Sequence, residues 1–354
     1  MKKLKLKKIF RNKKLLLIIA ITLVLIVVGI SAAVSLSKDN DNKIIEKQDN
    51  KEPELKEEKK VQIVDTESTS RPYAVMINNI NVARPLQSGL QDAYIIYEII
   101  VEGGITRYMA LFLDQDSERI GSVRSARHYY LDYALENDAI YVHHGQSPQA
   151  KSDFSKLGVD RIVVDNSKTG WRDKSLKVSS EHTLFTSIEK LNNGIGKKRT
   201  TRNNDLLLEY SADSLNLKDI KDSKVANNID IRYSNATKTS YEYDAENKVY
   251  KRSVNGKAHT DYVTKEQYTF KNIITYQVEN TKICGDNYKR QNLNNIGSGT
   301  GYYISEGYAV PITWEKTGRK AQTVYKMMDG TELKVNDGNT FIQIQPKGET
   351  LNIS

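Results

Sequence analysis

Hydrophobic residues follow three successive patterns along this chain: an unbroken apolar run, a polar stretch of mixed charge, and a long region of short apolar segments broken by polar residues. The apolar run covers Leu15–Ile30, and small apolar residues extend it to about Leu36. A helix of that length reaches the roughly 20 residues needed to cross a bilayer. The pattern therefore predicts a transmembrane anchor over residues 15–36. A cleaved signal peptide with its processing site near Ala33-Val34-Ser35 is the alternative.

Positive charge is concentrated before the apolar run. Residues 1–14 carry seven Lys and one Arg without an acid, which is +8 of the formal net charge of +9. Basic flanks stay in the cytoplasm, so residues 1–14 are predicted to be a cytoplasmic tail and the rest of the chain to be extracytoplasmic. From Val61 onward the net charge is only +2, without a basic run interleaved with aromatic residues. This distribution argues against a nucleic-acid partner.

The second pattern covers residues 37–70, where acids and lysines alternate and apolar residues are few. Such a composition cannot bury enough apolar surface to fold, so we expect a disordered extracytoplasmic linker. A linker of this length would span roughly 30 Å on average. The folded part of the protein could then stand away from the membrane.

The segment from Arg71 to Val225 is predicted to form an N-terminal domain of mixed α/β type. Gly103-Gly104 lies between two apolar runs and predicts a β-hairpin with a two-residue loop. A later strand, helix and strand predict a parallel βαβ unit with a right-handed crossover. The predicted elements are strands over 73–78, 94–102, 105–113, 139–144 and 161–165, a helix ending near Glu136, and a helix over 149–157.

Residues 228–352 show short alternating strands separated by turn dipeptides such as Asn255-Gly256 and Asp329-Gly330. This pattern predicts a second, mostly β domain. The whole chain is therefore expected to have an α+β fold. A mixed α/β domain with a β-hairpin and a parallel βαβ unit would be followed by a β-rich C-terminal domain.

Charged residues interrupt the apolar stretch that contains the predicted hairpin; they are Glu98, Glu102, Arg107, Arg124 and Arg127. With a two-residue loop, Glu102 would pair with Ile105 across the hairpin. Glu98, Glu102 and Arg107 would then lie on one face, because side chains alternate along strands. Such a set is typical either of an anion-binding or acid-base site or of a structural salt-bridge network. The sequence leaves both interpretations open.

Further polar candidates lie around the predicted βαβ unit. His143 and His144 end a strand and must point to opposite faces, which leaves His143 at the carboxyl end of a parallel strand, where α/β folds bind ligands. Ser147 precedes a helix whose backbone amides could hold an anion. Arg172 and His182 are expected to line the same cleft. Structural roles in loops and helix caps are the alternative for the histidines.

A metal site built from Glu98, His143 and His182 has no support from a local histidine or cysteine motif, so no metal and no cofactor are predicted. The chain has one cysteine, Cys284, which excludes an intramolecular disulfide. We expect it to be a small core residue.

Several stretches, read in order, resemble the YerB-like family of bacterial envelope proteins, known mostly from Gram-positive bacteria. The first half carries RPYAVMINN, ARPLQSGL, YEIIVEGGITRYMALF, IGSVRSARHYY, AIYVHHGQSPQA and EHTLFTS. The second half carries YKRSVNGKAHTDYVT, GTGYYISEGYAVPITWEK and MMDGTELKVNDGNTFIQIQP. The resemblance implies an N-terminal α/β domain, a C-terminal β-rich domain and an extracytoplasmic location, without a settled activity. Members are often lipoproteins, whereas no cysteine lies near the end of the apolar run here to accept a lipid.

The leading hypothesis is a single-pass anchored protein whose polar cleft binds an anionic or glycan ligand of the cell envelope. The ligand-binding candidates are Arg107, Arg124, Arg127, Ser147, Arg172 and His182. A hydrolase or transferase acting on wall polymer is the alternative, with Glu98, Glu102 and His143 as catalytic residues. A non-catalytic adaptor that recruits protein partners of the envelope machinery is the third possibility.

Overall fold

The computed structural model describes residues 59–354. The predicted cytoplasmic tail, the anchor over 15–36 and most of the linker lie outside the described residues. Within residues 59–354, no helix has both the length and the apolar character needed to span a bilayer.

The described part of the chain is rich in strands, and its α-helices are short. The helices are α1 (His128–Glu136), α2 (Pro148–Leu157) and α3 (Ile188–Gly194). The strands of the first half are β1 (Tyr73–Asn78), β2 (Ile95–Ile100), β3 (Thr106–Phe112), β4 (Ile120–Gly121), β5 (Ile140–His143), β6 (Arg161–Val163), β7 (Trp171–Arg172), β8 (Leu184–Thr186), β9 (Glu209–Ser211) and β10 (Lys224–Val225). The strands of the second half are β11 (Asn228–Arg232), β12 (Lys238–Asp244), β13 (Val249–Val254), β14 (Lys257–Ala258), β15 (Thr269–Phe270), β16 (Asn272–Lys282), β17 (Gln291–Asn294), β18 (Gly297–Ser305), β19 (Tyr308–Lys316), β20 (Val324–Met327), β21 (Lys334–Asn336), β22 (Thr340–Pro346) and β23 (Leu351–Ile353).

A mixed sheet of 12 strands forms the centre of the described structure, in the order β10-β19-β18-β16-β22-β2-β3-β1-β5-β6 with β17 and β20 attached. Both halves of the chain contribute, because β2 pairs in parallel with β22 from Ile95–Thr340 to Ile99–Ile344. The parallel pairs β1–β5 and β5–β6, with α2 between the last two strands, confirm the predicted βαβ unit. The predicted α+β fold class is confirmed.

The two faces of the central sheet are covered by different elements. In β2, Tyr97 and Ile99 point to the side covered by α1 and α2. Ile96 and Ile100 point to the other side, where the sheet β14-β13-β12-β11-β23 supplies aromatic residues such as Tyr241. Strands buried on both faces need apolar residues at nearly every position, which explains why β1 to β3 read as continuous hydrophobic runs.

The hairpin between β2 and β3 differs from the prediction. Ile100 pairs with Thr106 and Ile99 with Arg107, so the loop contains Glu102–Gly104 rather than two glycines. Val101 N–H closes it by donating to Ile105 O at 2.8 Å. Gly103 and Gly104 both have positive φ, at 70° and 73°. The extra loop residue shifts the register by one position, and such a shift moves side chains to the opposite face of a sheet.

Cys284 is exposed in the loop that follows Lys282 at the end of β16. The prediction that it is a core residue is therefore wrong. The outer end of β16 pairs only with β17 in the connected hairpin, which leaves the following loop in solvent.

Candidate functional site

A cluster of arginines lies at one edge of the central sheet, where β1 and β5 end and β3 begins. The segment after β4 crosses this edge in an extended conformation. Arg124 N–H donates to Met76 O at 2.9 Å, and His144 N–H donates to Arg124 O at 3.0 Å. These backbone bonds fix the side chains on the segment over the strand ends. We call the set Arg107, Arg124, Arg127 and Arg172, with Glu102 and Glu181, the arginine rim.

Glu102 is held by two guanidinium groups. Arg107 Nη2 donates to its Oε1 at 2.9 Å, and Arg127 contacts both carboxylate oxygens, with Nε 2.9 Å from Oε2. Burial opposes the ionisation of Glu102. The hydrogen bond from Arg127 and the charges of both arginines outweigh this effect and lower the pKa of Glu102 to about 2. The carboxylate is therefore charged at any physiological pH.

Arg107 is almost fully buried, and its Nη1 donates to Ser125 O at 2.7 Å. Burial, followed by the positive charge of Arg127, lowers the pKa of Arg107 to about 10. The attraction of Glu102 offsets this only in part. Two guanidinium groups thus share one carboxylate in a partly desolvated place, which leaves a surplus of positive charge.

Arg124 and His182 lie on the other side of the same edge, around Glu181. Arg124 Nη2 donates to Glu181 Oε2 at 2.8 Å, whereas its Nε is buried without a hydrogen-bond partner among residues 59–354. His182 Nδ1 lies 3.0 Å from Asn78 Nδ2, and its Nε2 lies 3.4 Å from Glu181 Oε1. Burial lowers the pKa of His182, so the ring is neutral near pH 7 and accepts from Asn78.

Arg172 joins this group through the segment that carries Glu181. Its Nη1 donates to Ser180 O, and its Nη2 lies 3.3 Å from His144 Nε2. His144 Nδ1 is 2.7 Å from Val164 O, which places the ring proton on Nδ1 and leaves Nε2 to accept from Arg172. The structure therefore brings together Arg107, Arg124, Arg127, Arg172, Glu102 and His182 of the predicted residues.

Glu98 lies on the opposite face of the sheet, which corrects the prediction of a shared face with Glu102. Its carboxylate accepts from Thr106 Oγ1 at 2.7 Å and from Arg252 Nη2 at 2.7 Å. The side chains of Glu98 and Arg252 are both 0% exposed. The three-residue hairpin loop is the cause, because it reverses the face of Arg107 relative to Glu98 and leaves Glu102 outside the strand. Glu98 fastens the second sheet to the central one and does not belong to the rim.

His143 does not belong to the rim either, because its side chain packs against α2. It is buried, it stacks on Phe154 with ring centroids 5.0 Å apart, and its Nδ1 lies 2.8 Å from Gly145 O. Burial lowers the pKa of His143 to about 4. A neutral ring packed against α2 is a poor proton carrier near pH 7, which argues against the predicted catalytic role.

Ser147 is a helix cap rather than a free ligand. It is buried, and its Oγ accepts from Ala150 N–H at 3.1 Å at the first turn of α2. Metal binding finds no support either. The described residues contain no group of three or more His, Cys, Asp or Glu side chains that could hold a metal ion.

Sequence reasoning missed Glu181, His144 and Arg252. Glu181 directly precedes His182 and could have been noted from that position alone. Arg252 had a clearer signal, because it lies between Tyr250 and Val254 on the inward side of the alternating strand β13. An arginine at an inward position predicts a buried acidic partner.

Comparisons with known proteins agree with this fold. Residues 61–202 match the family described as "Protein of unknown function (DUF3048) N-terminal domain", and residues 229–342 match its C-terminal domain. The protein named "Putative lipoprotein YerB" of Bacillus subtilis (strain 168) is 31% identical over 306 residues, which cover 85% of this chain and 87% of that protein. The crystal structure of YerB protein from Bacillus subtilis superposes with a TM-score of 0.66 and 29% identity, over 80% of this chain and 94% of that chain. The chain therefore belongs to the YerB-like family, as the sequence motifs predict.

Proposed function

We propose that this chain is a single-pass membrane-anchored, extracytoplasmic binding protein whose arginine rim captures anionic groups of a cell-envelope polymer. The relative named as a lipoprotein supports attachment to a membrane. Here the apolar segment 15–36 would provide the attachment in place of a lipid, with residues 1–14 in the cytoplasm.

One observation carries the proposal: at one edge of the central sheet, three guanidinium groups contact two carboxylates, and a fourth, that of Arg172, donates to the backbone carbonyl of Ser180 beside them. Because four arginines face only two glutamates, the rim holds a net positive charge, to which the neutral ring of His182 adds nothing. Guanidinium forks bind carboxylate and phosphate oxygens in a bidentate manner. A phosphate or carboxylate of the polymer would compensate the charge that Glu102 and Glu181 leave unbalanced.

Arg124 is the residue most available to such a ligand. Its side chain is partly exposed, and its acidic partner Glu181 is more than half exposed. Ion pairs of this kind contribute little to stability, so an incoming anion can replace Glu181 at low cost. Arg107 and Arg127, which are held by Glu102, add further positive charge to the rim.

The rim lies away from the point where the described part of the chain begins. Gln62 and Ile63 N–H groups donate to Asp337 at 2.8 and 2.9 Å, beside the edge of the sheet where β1 begins. The rim lies at the other end of β1, next to Asn78. The first described residues and the rim therefore lie at opposite ends of β1.

The geometry favours binding over hydrolysis or group transfer. Glu98 is buried and paired, the pKa of Glu102 is lowered to about 2 by its two arginines, and burial lowers the pKa of His143 to about 4. General acid-base catalysis works best with a group whose pKa lies near the working pH. Glu102 and His143 do not meet that condition, and the buried side chain of Glu98 is out of reach of a substrate.

The proposal is tested by isothermal titration calorimetry, which measures the affinity of residues 59–354 for poly(glycerol phosphate). These residues include the hydrophobic side chains buried on both faces of the central sheet. Arg124→Gln should weaken binding by roughly tenfold to a hundredfold, because it removes a charge-assisted hydrogen bond. Arg199→Gln is the matched control, since Arg199 is a partly exposed arginine paired with Asp138 beside the start of β1, at the other end of that strand from the rim. Equal affinities of the two variants would refute the proposal and favour the adaptor interpretation.

A further inference from the structure

His182 lies between the arginine rim and the buried interior. It belongs to the short turn Ser180–His182, and its side chain is only 6% exposed. Its Nε2 lies 3.4 Å from Glu181 Oε1, and Glu181 Oε2 accepts from Arg124 Nη2 at 2.8 Å. One carboxylate therefore faces a permanent cation on one side and a titratable ring on the other.

The neutral ring of His182 has one tautomer. Asn78 Nδ2 donates to His182 Nδ1 at 3.0 Å, while Asn78 Oδ1 accepts from Ile80 N–H at 3.4 Å, which orients the amide. The ring proton then lies on Nε2, where it points at the carboxylate of Glu181. In this state Glu181 compensates the charge of Arg124.

Asn78 is held in place from the interior. Gln87 Nε2 donates to Asn78 O, and Gln87 Oε1 accepts from His259 Nε2. Arg252 fixes this direction, because a guanidinium group only donates and its Nη1 lies 2.7 Å from His259 Nδ1. All four side chains of this path are buried. The second sheet thus helps to fix the position of the ring that contacts the rim.

A proton on His182 changes which group holds Glu181. The imidazolium is a charged donor next to Oε1, so it competes with Arg124 for the carboxylate. The charge of Arg124 is then less compensated, and its side chain is 21% exposed to solvent. The backbone of the turn is held separately, because Arg172 donates to Ser180 O. The exchange therefore needs only a movement of the Glu181 side chain.

We propose that His182 is the positioning residue of the arginine rim, an inference that rests on the proposed function. The neutral ring leaves Glu181 paired with Arg124, whereas the protonated ring binds Glu181 and frees Arg124 for an anionic group of the polymer. The proton also adds one positive charge beside the ligand. Anion binding and protonation of His182 therefore strengthen each other.

Two charged groups face the ring among residues 59–354: Glu181 on its own turn, and Arg124 on the segment after β4. From β1, only the uncharged amide of Asn78 contacts it. Burial lowers the pKa of His182, the charge of Glu181 opposes this effect, and the charge of Arg124 adds to it. The ring therefore takes up its proton on the acid side of neutrality.

The rim carboxylates and Arg107 keep their charges between pH 7.5 and pH 5. The pKa of Glu102 is lowered to about 2. The hydrogen bond and the charge of Arg124 lower the pKa of Glu181 below its usual range. Arg107 stays protonated, since burial lowers its pKa only to about 10. A pH dependence of anion binding in this interval is therefore expected to come from a histidine.

Isothermal titration calorimetry tests this role, with full-length protein in micelles of an uncharged detergent and poly(glycerol phosphate) as the probe. Its phosphodiester groups stay charged at both pH 7.5 and pH 5. We expect an affinity about tenfold higher at pH 5, which corresponds to a rise of about one unit in the pKa of His182 on binding. His182→Gln should remove this difference, because glutamine takes up no proton. His128→Gln and His144→Gln, which change the two partly exposed histidines, are the controls and should retain it.

A second measurement needs no substitution. NMR signals of labelled histidines give the pKa of His182 with and without the polymer, and by reciprocity this pKa should rise on binding. An affinity equal at the two pH values, a pH dependence unchanged by His182→Gln, or a His182 pKa unchanged by the polymer would each overturn this role and leave anion binding by the rim intact. Absence of binding at both pH values would overturn both proposals.

Discussion

Glu98 Oε2 and Arg252 Nη2 lie 2.7 Å apart in a dry interior, although the two residues are separated by 154 positions in the chain. The pair joins the central sheet to the second sheet. Thr239 Oγ1 also donates to Glu98 at 3.1 Å, and Arg252 Nη1 lies 2.7 Å from His259 Nδ1. This network makes Glu98 a structural residue.

Glu98→Gln should destabilise the protein strongly. It leaves the buried guanidinium of Arg252 without a counter-charge, and removing one partner of a buried pair costs about 3–5 kcal/mol. Urea unfolding of residues 59–354 measures the loss. Glu209→Gln, which alters an exposed pair with Lys334, should stay within about 0.5 kcal/mol of the parent. A Glu98→Gln protein as stable as this control would show that the pair is not the fastening contact.

Glu102 should contribute a pH-dependent part of the stability. Its pKa is lowered from 4.5 to about 2 by Arg127 and Arg107 in the folded state. The unfolded chain therefore binds more protons between these values, so the contribution is present above pH 4.5 and is lost as the pH falls towards 2. The difference in unfolding free energy between the parent and Glu102→Gln should shrink over that interval. A difference that stays constant from pH 6 to pH 2 would contradict the ion-pair geometry.

His143 should remain neutral well below pH 6. Burial lowers the pKa of His143 to about 4, and the contact with Gly145 O favours the proton on Nδ1. Nitrogen-15 spectra of the imidazole, recorded from pH 8 to pH 4, should show one neutral tautomer until close to the acid end. A titration midpoint of the imidazole near pH 6.5 would contradict this prediction and would make His143 a candidate for proton transfer again.

Gly301→Ala should destabilise the C-terminal half, because the new Cβ would meet Thr275 O at 2.3 Å. Overpacking of this kind costs about 1–3 kcal/mol. Gly318→Ala is the matched control, since nothing lies within 4 Å of a Cβ built there. Thermal unfolding should separate the two variants clearly. Equal melting temperatures would mean that β18 and β16 approach each other less closely than described.

Local sequence patterns predicted much of this fold and only part of the site. Strand alternation and turn dipeptides predicted the β-rich second half, and the strand-helix-strand spacing predicted the βαβ unit around α2. The pairing of β2 with β22 has no local signal, since parallel neighbours far apart in the chain are selected by packing. A two-residue loop and a three-residue loop at Gly103-Gly104 cannot be distinguished in the sequence, yet only the two-residue loop would place Arg107 on the same face as Glu98. Arg107 and Arg127 meet at Glu102, whereas Glu98 lies on the opposite face with Arg252, and the binding role of the arginines stays a prediction.

Binding of anions to the arginine rim should be visible in the NMR signals of the arginine side-chain Nε–H groups. These signals would be followed in residues 59–354 during a titration with poly(glycerol phosphate). We expect saturable shifts of Arg124 and Arg127, while the buried Arg252 and Arg199, beside the start of β1, stay unchanged. Rim signals that do not move, or exposed arginines that all move alike, would contradict the account.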